Sequence, residues 1–239
     1  MPIRDTIPSR YAPVVTWCLI AINASIFLGE VSLGPQEVER LFYLVGLVPA
    51  RYTHGWAALS IGDYLPFLTS MFLHGGWNHI VGNMWMLWIF GDNVEDAMGP
   101  VRYLLFYLLT GLAAGLTQCL TNPDSMIPTV GASGAISGVL GAYFMLYPRA
   151  RIIAMFPVFF WPVFFQLPAV TYLFVWYLNQ MVAGALAGLS SADVGGIAFW
   201  AHVGGFAAGV VLHRAFVVPA RLRPRALQLD EYGITGAWA

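Results

Sequence analysis

TVGASGAISGVLGAY, residues 129–143, carries four glycines and two serines in fifteen positions, yet it lies between long apolar runs. Such a stretch is too apolar for a solvent-exposed loop and too rich in backbone-exposing residues for an ordinary lipid-facing helix. In a membrane, polar backbone is tolerated only where it is enclosed by protein or lines a water-filled cavity. From the residues alone the stretch reads as a span with a helix-contact face, on which Gly134 and Gly138 lie four apart.

The rest of the chain fits that setting. Of its 239 residues, 59% are hydrophobic and 10% are charged, against about 25% charged in soluble domains. A bilayer core of roughly 30 Å takes about 20 apolar residues per helix, which accommodates about six crossings and no large soluble domain. Run length and the breaks made by Pro, Gly and charge give spans at about 13–32, 77–94, 101–120, 131–147, 168–188 and 196–217. The expected fold is an all-α polytopic bundle of six transmembrane helices forming one domain over residues 1–218, followed by a polar tail at 219–239. Two further apolar segments, 41–50 and 152–166, are too short to cross, and the second contains Pro157 and Pro162. Both are expected to be interfacial or re-entrant.

Orientation follows from arginine, since the chain has no lysine. Six spans with both termini cytoplasmic place Arg4, Arg10, Arg102, Arg149, Arg151, Arg214, Arg221, Arg223 and Arg225 inside and only Arg40 and Arg51 outside. A seventh span at 152–166 would move the last four arginines outside. The formal net charge of −1 and the lack of a basic run exclude a nucleic-acid partner. Cys18 and Cys119 lie within apolar runs and read as small hydrophobes rather than a disulfide framework. Arg4 and Arg10 precede an apolar stretch too long for a signal-peptide core, so it reads as a retained first span.

Three polar groups interrupt the spans, and intramembrane polar groups are functional candidates. Ser133 lies in GASG, residues 131–134. His79 and Asn83 lie four apart in HGGWNHIVGN, residues 74–83, on one helical face, while His74 falls off that face. His202 begins HVGGFAAG and shares a smooth stripe with Gly205 and Gly209. Each motif also has a plain reading as helix packing or interhelical hydrogen bonding. Together they supply a hydroxyl nucleophile, an imidazole to take its proton, and donors for an oxyanion from His79, Asn83 and the Ser133 amide. No Cys, Asp or Glu lies beside the histidines to complete a zinc site, and no metal or cofactor is called for. With no intramembrane acid to orient His202, the unit is a Ser-His dyad.

The G-x-S-G of GASG, the H-x-x-x-N of HIVGN and the H-x-x-G-x-x-x-G of HVGGFAAG, in this order and in a six-span frame, resemble the rhomboid intramembrane serine proteases. The resemblance implies Ser133 as nucleophile, His202 as general base, and His79, Asn83 and the Ser133 amide as oxyanion hole. It implies hydrolysis of peptide bonds in or near transmembrane segments of membrane proteins held in a lipid bilayer. The fifth span and segment 41–50 would be moving walls for lateral substrate access. Two positions depart from the family pattern: Ser137 stands where an aromatic residue commonly packs on the histidine, and the Trp-Arg pair of the first outer loop is missing at its expected place, with Arg51 and Trp56 of ARYTHGW nearby. The first departure leaves the orientation of His202 unassigned. A compact prokaryotic-type enzyme of the cell membrane is the expected setting. The alternatives are a non-catalytic relative that binds membrane proteins and a channel or transporter, although paired halves with broken helices are not visible.

Overall fold

The computed structural model describes residues 1–53, 60–158, 161–189 and 198–222. Its six long helices are α1 (Val14–Val31), α3 (Trp77–Met98), α4 (Pro100–Thr121), α5 (Ser133–Leu146), α6 (Ala169–Leu189) and α7 (Phe199–Phe216), with a shorter α2 (Pro35–Val45) after α1. These helices coincide closely with the six apolar runs read from the sequence. Among the described residues, three stretches are long and apolar enough to cross a membrane: Val14–Val31, Pro100–Thr121 and Ala169–Leu186. α5 is apolar but has only 14 residues, about 21 Å of helix.

That short helix is the centre of the molecule. Every residue from Gly134 to Tyr143 is buried, and glycine is what lets its neighbours approach. A methyl at Gly205 would overlap the Gly134 carbonyl, one at Gly209 the Gly138 carbonyl, and one at Gly141 the Phe206 carbonyl. α5 and α7 thus touch backbone to backbone over two turns. On its other side, Ala114 and Thr110 of α4 fill the space beside Gly134 and Gly138. α5 stops at Leu146 because Tyr147 precedes Pro148, and the residue before proline is driven out of the helical region.

α3 and α4 are joined by Gly99 alone, in a left-handed conformation (φ 78°), with Pro100 opening α4. Gly99 ends one helix where side chains rarely go, and Pro100 starts the next where its missing N–H costs nothing. The last turns of α3 anchor the N-terminal segment. Pro13 offers no side-chain cap to α1; the Glu95 carboxylate accepts instead from the Val15 and Thr16 amides at 2.9 and 2.8 Å and from the Thr16 hydroxyl at 2.8 Å. Arg10 reaches Asp96 at 3.3 Å, and Asp5 accepts from Asn93 at 2.9 Å and from the Tyr143 hydroxyl.

One part of the fold differs from the all-helical expectation. The described part of segment 152–166 is two paired antiparallel strands, β2 (Arg151–Val158) against β3 (Trp161–Pro168), in register from Arg151↔Pro168 to Val158↔Trp161. β1 (Pro2–Asp5) pairs antiparallel with β2, giving the order β1-β2-β3. The physical reason lies in composition: Ile, Val, Phe and Trp favour a pleated surface, while Pro157 and Pro162 bar a helix. Segment 41–50 is divided, with its first half completing the amphipathic α2. The tail expected at 219–239 begins with an ordered turn at Pro219–Arg221, where the Arg221 guanidinium lies 4.7 Å from the Tyr11 ring centroid; residues 223–239, Trp56 and residues 196–197 of the sixth run lie outside the described residues. Cys18 is exposed and Cys119 buried, both as free thiols.

Glu95→Ala strips α1 of the carboxylate that accepts from two first-turn amides. Its expected cost is about 2 kcal/mol of stability, read as a lower thermal midpoint in detergent.

Candidate active site

Three helix N-termini converge on a cavity of about 690 Å³ whose lining includes Ser133, His202, His79, Asn83, Gly131 and Gln180. Ser133 opens the first turn of α5, which therefore starts inside the bundle rather than at its surface. Gly131, two residues earlier, has φ 130° and donates its amide to the Ser70 carbonyl at 2.8 Å. A side chain there would be strained, and its Cβ would fall 2.8 Å from Cε1 and Nε2 of His79. Gly131 thus makes the room in which the His79 ring stands beside Ser133.

His202 lies in the first turn of α7, and the α5–α7 glycine contact brings its Nε2 to 2.8 Å from Ser133 Oγ. Its other ring nitrogen, Nδ1, is 2.7 Å from Gln180 Oε1 on α6. Trp176, one turn before Gln180, places its ring centroid 6.0 Å from that of His202. Ser137 plays no part in holding the imidazole. It is buried, donates its hydroxyl back to the Ser133 carbonyl at 2.6 Å and packs where Gly205 of α7 approaches.

The His79–Asn83 pair faces the same cavity from α3. The Gly75 amide donates to His79 Nδ1 at 3.4 Å, so a neutral ring carries its hydrogen on Nε2, the nitrogen beside Gly131. Asn83 is buried, and its Nδ2 has no hydrogen-bond partner among the described residues. A buried donor without a partner inside a cavity is available to an incoming oxygen. His74, just outside α3, stands behind the site: its ring centroid is 5.2 Å from that of His79 and 6.5 Å from that of Phe27. Burial, reinforced by His79, lowers the His74 pKa to about 4, so it is a neutral backing wall at pH 7. Its amide is held by the Glu30 carboxylate at 3.3 Å.

The sequence motifs therefore meet in space: Ser133 with His202, and His79 with Asn83 across the cavity. Gly134 and Gly205 form one close approach, Gly138 and Gly209 the next. Gln180 and Trp176 are the residues that sequence reasoning missed. The available signal was the Asn179–Gln180 amide pair inside an otherwise apolar run; a neutral amide draws less attention than a charge, although it too needs a partner in a membrane interior.

Comparison with known proteins gives the chain its family. The model of the Rhomboid domain matches residues 62–218, more than half of the sequence. Rhomboid-like protein 11, chloroplastic, of Arabidopsis thaliana is 34% identical over 132 residues, 55% of this chain and 41% of that protein. Rhomboid protease GluP of Bacillus subtilis (strain 168) is 33% identical over 131 residues, 54% of this chain and 24% of that protein. The presenilin-associated rhomboid-like protein, mitochondrial, of Mus musculus is 33% identical over 97 residues, 39% of this chain and 26% of that protein. The matched part spans less than half the length of each of these relatives, which include chloroplastic, bacterial and mitochondrial proteins. The chain belongs to the rhomboid family of integral membrane proteins.

Proposed function

We propose that this chain is an intramembrane serine endopeptidase that hydrolyses peptide bonds in or near the transmembrane segments of membrane proteins, using Ser133 and His202. The observation that carries the reading is the 2.8 Å separation of Ser133 Oγ and His202 Nε2 in the lining of the cavity. A serine hydroxyl is a poor nucleophile until a base within hydrogen-bond reach takes its proton. Ser133 Oγ attacks the scissile carbonyl carbon while its proton passes to His202 Nε2. The resulting oxyanion is received by His79 Nε2–H, Asn83 Nδ2–H and the Ser133 amide. Collapse expels the amine, which takes the proton from His202 and leaves an acyl-serine. Water, deprotonated by the same imidazole, then attacks the ester and releases the new carboxyl terminus and the free serine. No metal or cofactor enters these steps.

The reading extends to placement. Six helices at the positions of the six apolar runs are taken as spans of one membrane domain over residues 1–218, with N- and C-termini on the arginine-rich, cytoplasmic side. The site then lies near the opposite face, below the surface because α5 is short. The Rhomboid protease GluP likeness supports a proteolytic member of the family, and the bacterial relative is consistent with a prokaryotic cell membrane. The retained serine, histidine and donor pair favour an enzyme over a non-catalytic binding relative.

Purified protein in detergent or proteoliposomes, mixed with a tagged single-span substrate, is expected to cut it, and Ser133→Ala or His202→Ala, each still folded, to abolish cleavage. Cleavage that survives either change excludes the dyad. Asn83→Ala removes one oxyanion donor and is expected to lower kcat about 100-fold with little change in KM; an equal loss confined to KM would place Asn83 in substrate binding instead.

A further inference from the structure

Ser137 leaves the imidazole of His202 without an aromatic support from α5, and the support comes from α6. We propose that Gln180 is a positioning residue that fixes the tautomer and orientation of His202, a proposal that rests on the proteolytic reading of the site. An amide oxygen can only accept a hydrogen bond. With Gln180 Oε1 2.7 Å from Nδ1, that nitrogen must carry the ring hydrogen, and Nε2 presents its lone pair to Ser133 Oγ at 2.8 Å. This is the tautomer a general base requires. Trp176 and Gln180 are four apart and so share one helical face, and Trp176 adds a ring contact to the same imidazole.

The support has a mechanical consequence. α6 leans on α7 through Tyr177, stacked at 4.6 Å on Phe206, while Phe174, Val175, Leu178 and Leu186 are exposed on its outer side. The group that orients the base is thus carried by a helix packed on one side only.

The test compares Gln180→Leu, which keeps the volume and loses the acceptor, with Gln180→Glu, which keeps an acceptor oxygen. In protein labelled with ¹⁵N-histidine and held in lipid nanodiscs, His202 of the native chain is expected to show a protonated Nδ1. Gln180→Leu is expected to move the hydrogen towards Nε2 and to lower kcat about tenfold with KM little changed, and Gln180→Glu to restore both. A side chain that merely fills space gives the opposite ranking, with Leu tolerated and Glu harmful, and that ranking overturns the proposal. An Nδ1 that stays protonated in Gln180→Leu overturns it as well. The spectra decide even without turnover: a tautomer change in a chain that cuts no substrate keeps Gln180 as the positioning residue and removes the proteolytic reading instead.

A second inference comes from the hairpin at the other end of the bundle, independently of the catalytic reading. The geometry points to β2–β3 lying in the lipid headgroup and acyl boundary. β3 is an edge strand with large apolar side chains exposed on both its faces: Trp161 (78%) and Val163 and Phe165 on one, Phe164 (61%) on the other, with Phe156 (61%) on β2 beside them. In water such an edge invites aggregation. At a bilayer boundary the same aromatic residues are favoured. Two observations fix the bilayer as the occupant. β3 runs without a loop into Ala169, the first residue of a stretch apolar enough to cross a membrane, so the foot of the hairpin stands at a membrane boundary. Arg149 and Arg151, both exposed at that foot, suit anionic headgroups.

A spin label at Phe164→Cys, or at Trp161→Cys, in a Cys18→Ala background reads the depth in vesicles of phosphatidylcholine and phosphatidylglycerol. Collision with oxygen is expected to exceed collision with a water-soluble nickel chelate, at a depth shallower than a label at Leu178→Cys, exposed halfway along α6. Accessibility matching that of a label at Asp124→Cys, in the α4–α5 loop, would place the hairpin in water and contradict the inference. A label shielded from both relaxants would indicate a protein partner or second copy and contradict it too.

Discussion

The backbone contact between α5 and α7 is the constraint on which the rest depends. Hydrophobic burial gives little direction to helix association inside a bilayer, where lipid tails are as apolar as leucine, so close packing and interhelical polar bonds decide the arrangement. Gly205 against the Gly134 carbonyl and Gly209 against the Gly138 carbonyl set both the distance and the register of the two helices. With that register fixed, the first turns of α5 and α7 lie side by side, and Ser133 and His202 have no other place to be. A β-carbon at Gly205 or Gly209 separates the two helices and with them the two side chains, whereas one at Gly134 or Gly138 would press on Ala114 or Thr110 of α4.

Polar groups in this structure are sorted to its two ends. At one end, Glu95, Asp96, Asp5 and Arg10 pair with one another's elements and with orphan helix amides, closing the N-terminal segment onto α3. Each of these four side chains has a partner on another element, and their work is to hold elements together. At the other end, Asn83 keeps a buried donor without a partner among the described residues, and Ser133, His79 and His202 line open space. Unsatisfied polarity costs stability; kept beside a cavity, it is the signature of groups reserved for a ligand or a reaction.

Much of the fold was legible because membrane helices announce themselves by length. The run at 13–32 became Val14–Val31, and that at 101–120 became Pro100–Thr121, since Pro, Gly and charge mark where helices stop. The hairpin was not legible, because run length asks only whether a segment can cross; a short apolar run of Ile, Val and Phe between prolines is equally a strand, and its pairing with Pro2–Asp5 joins residues far apart in sequence. The site divided in the same way. Ser133, His202, His79 and Asn83 stood out as rare polar residues with glycine partners. Gln180 did not, because its meaning depends on which face of α6 turns inward, and in a run where nearly every residue is apolar no periodicity reveals that face.

The proposed hydrolysis requires Ser133 to be a nucleophile activated by His202. The direct measurement is covalent capture: incubating the native protein and His202→Ala in lipid with a fluorophosphonate and locating the adduct by mass spectrometry of the intact chain and its peptides. The account predicts one adduct, on Ser133, that is lost with His202. An unmodified Ser133 in folded native protein, or equal labelling in both proteins, would contradict it.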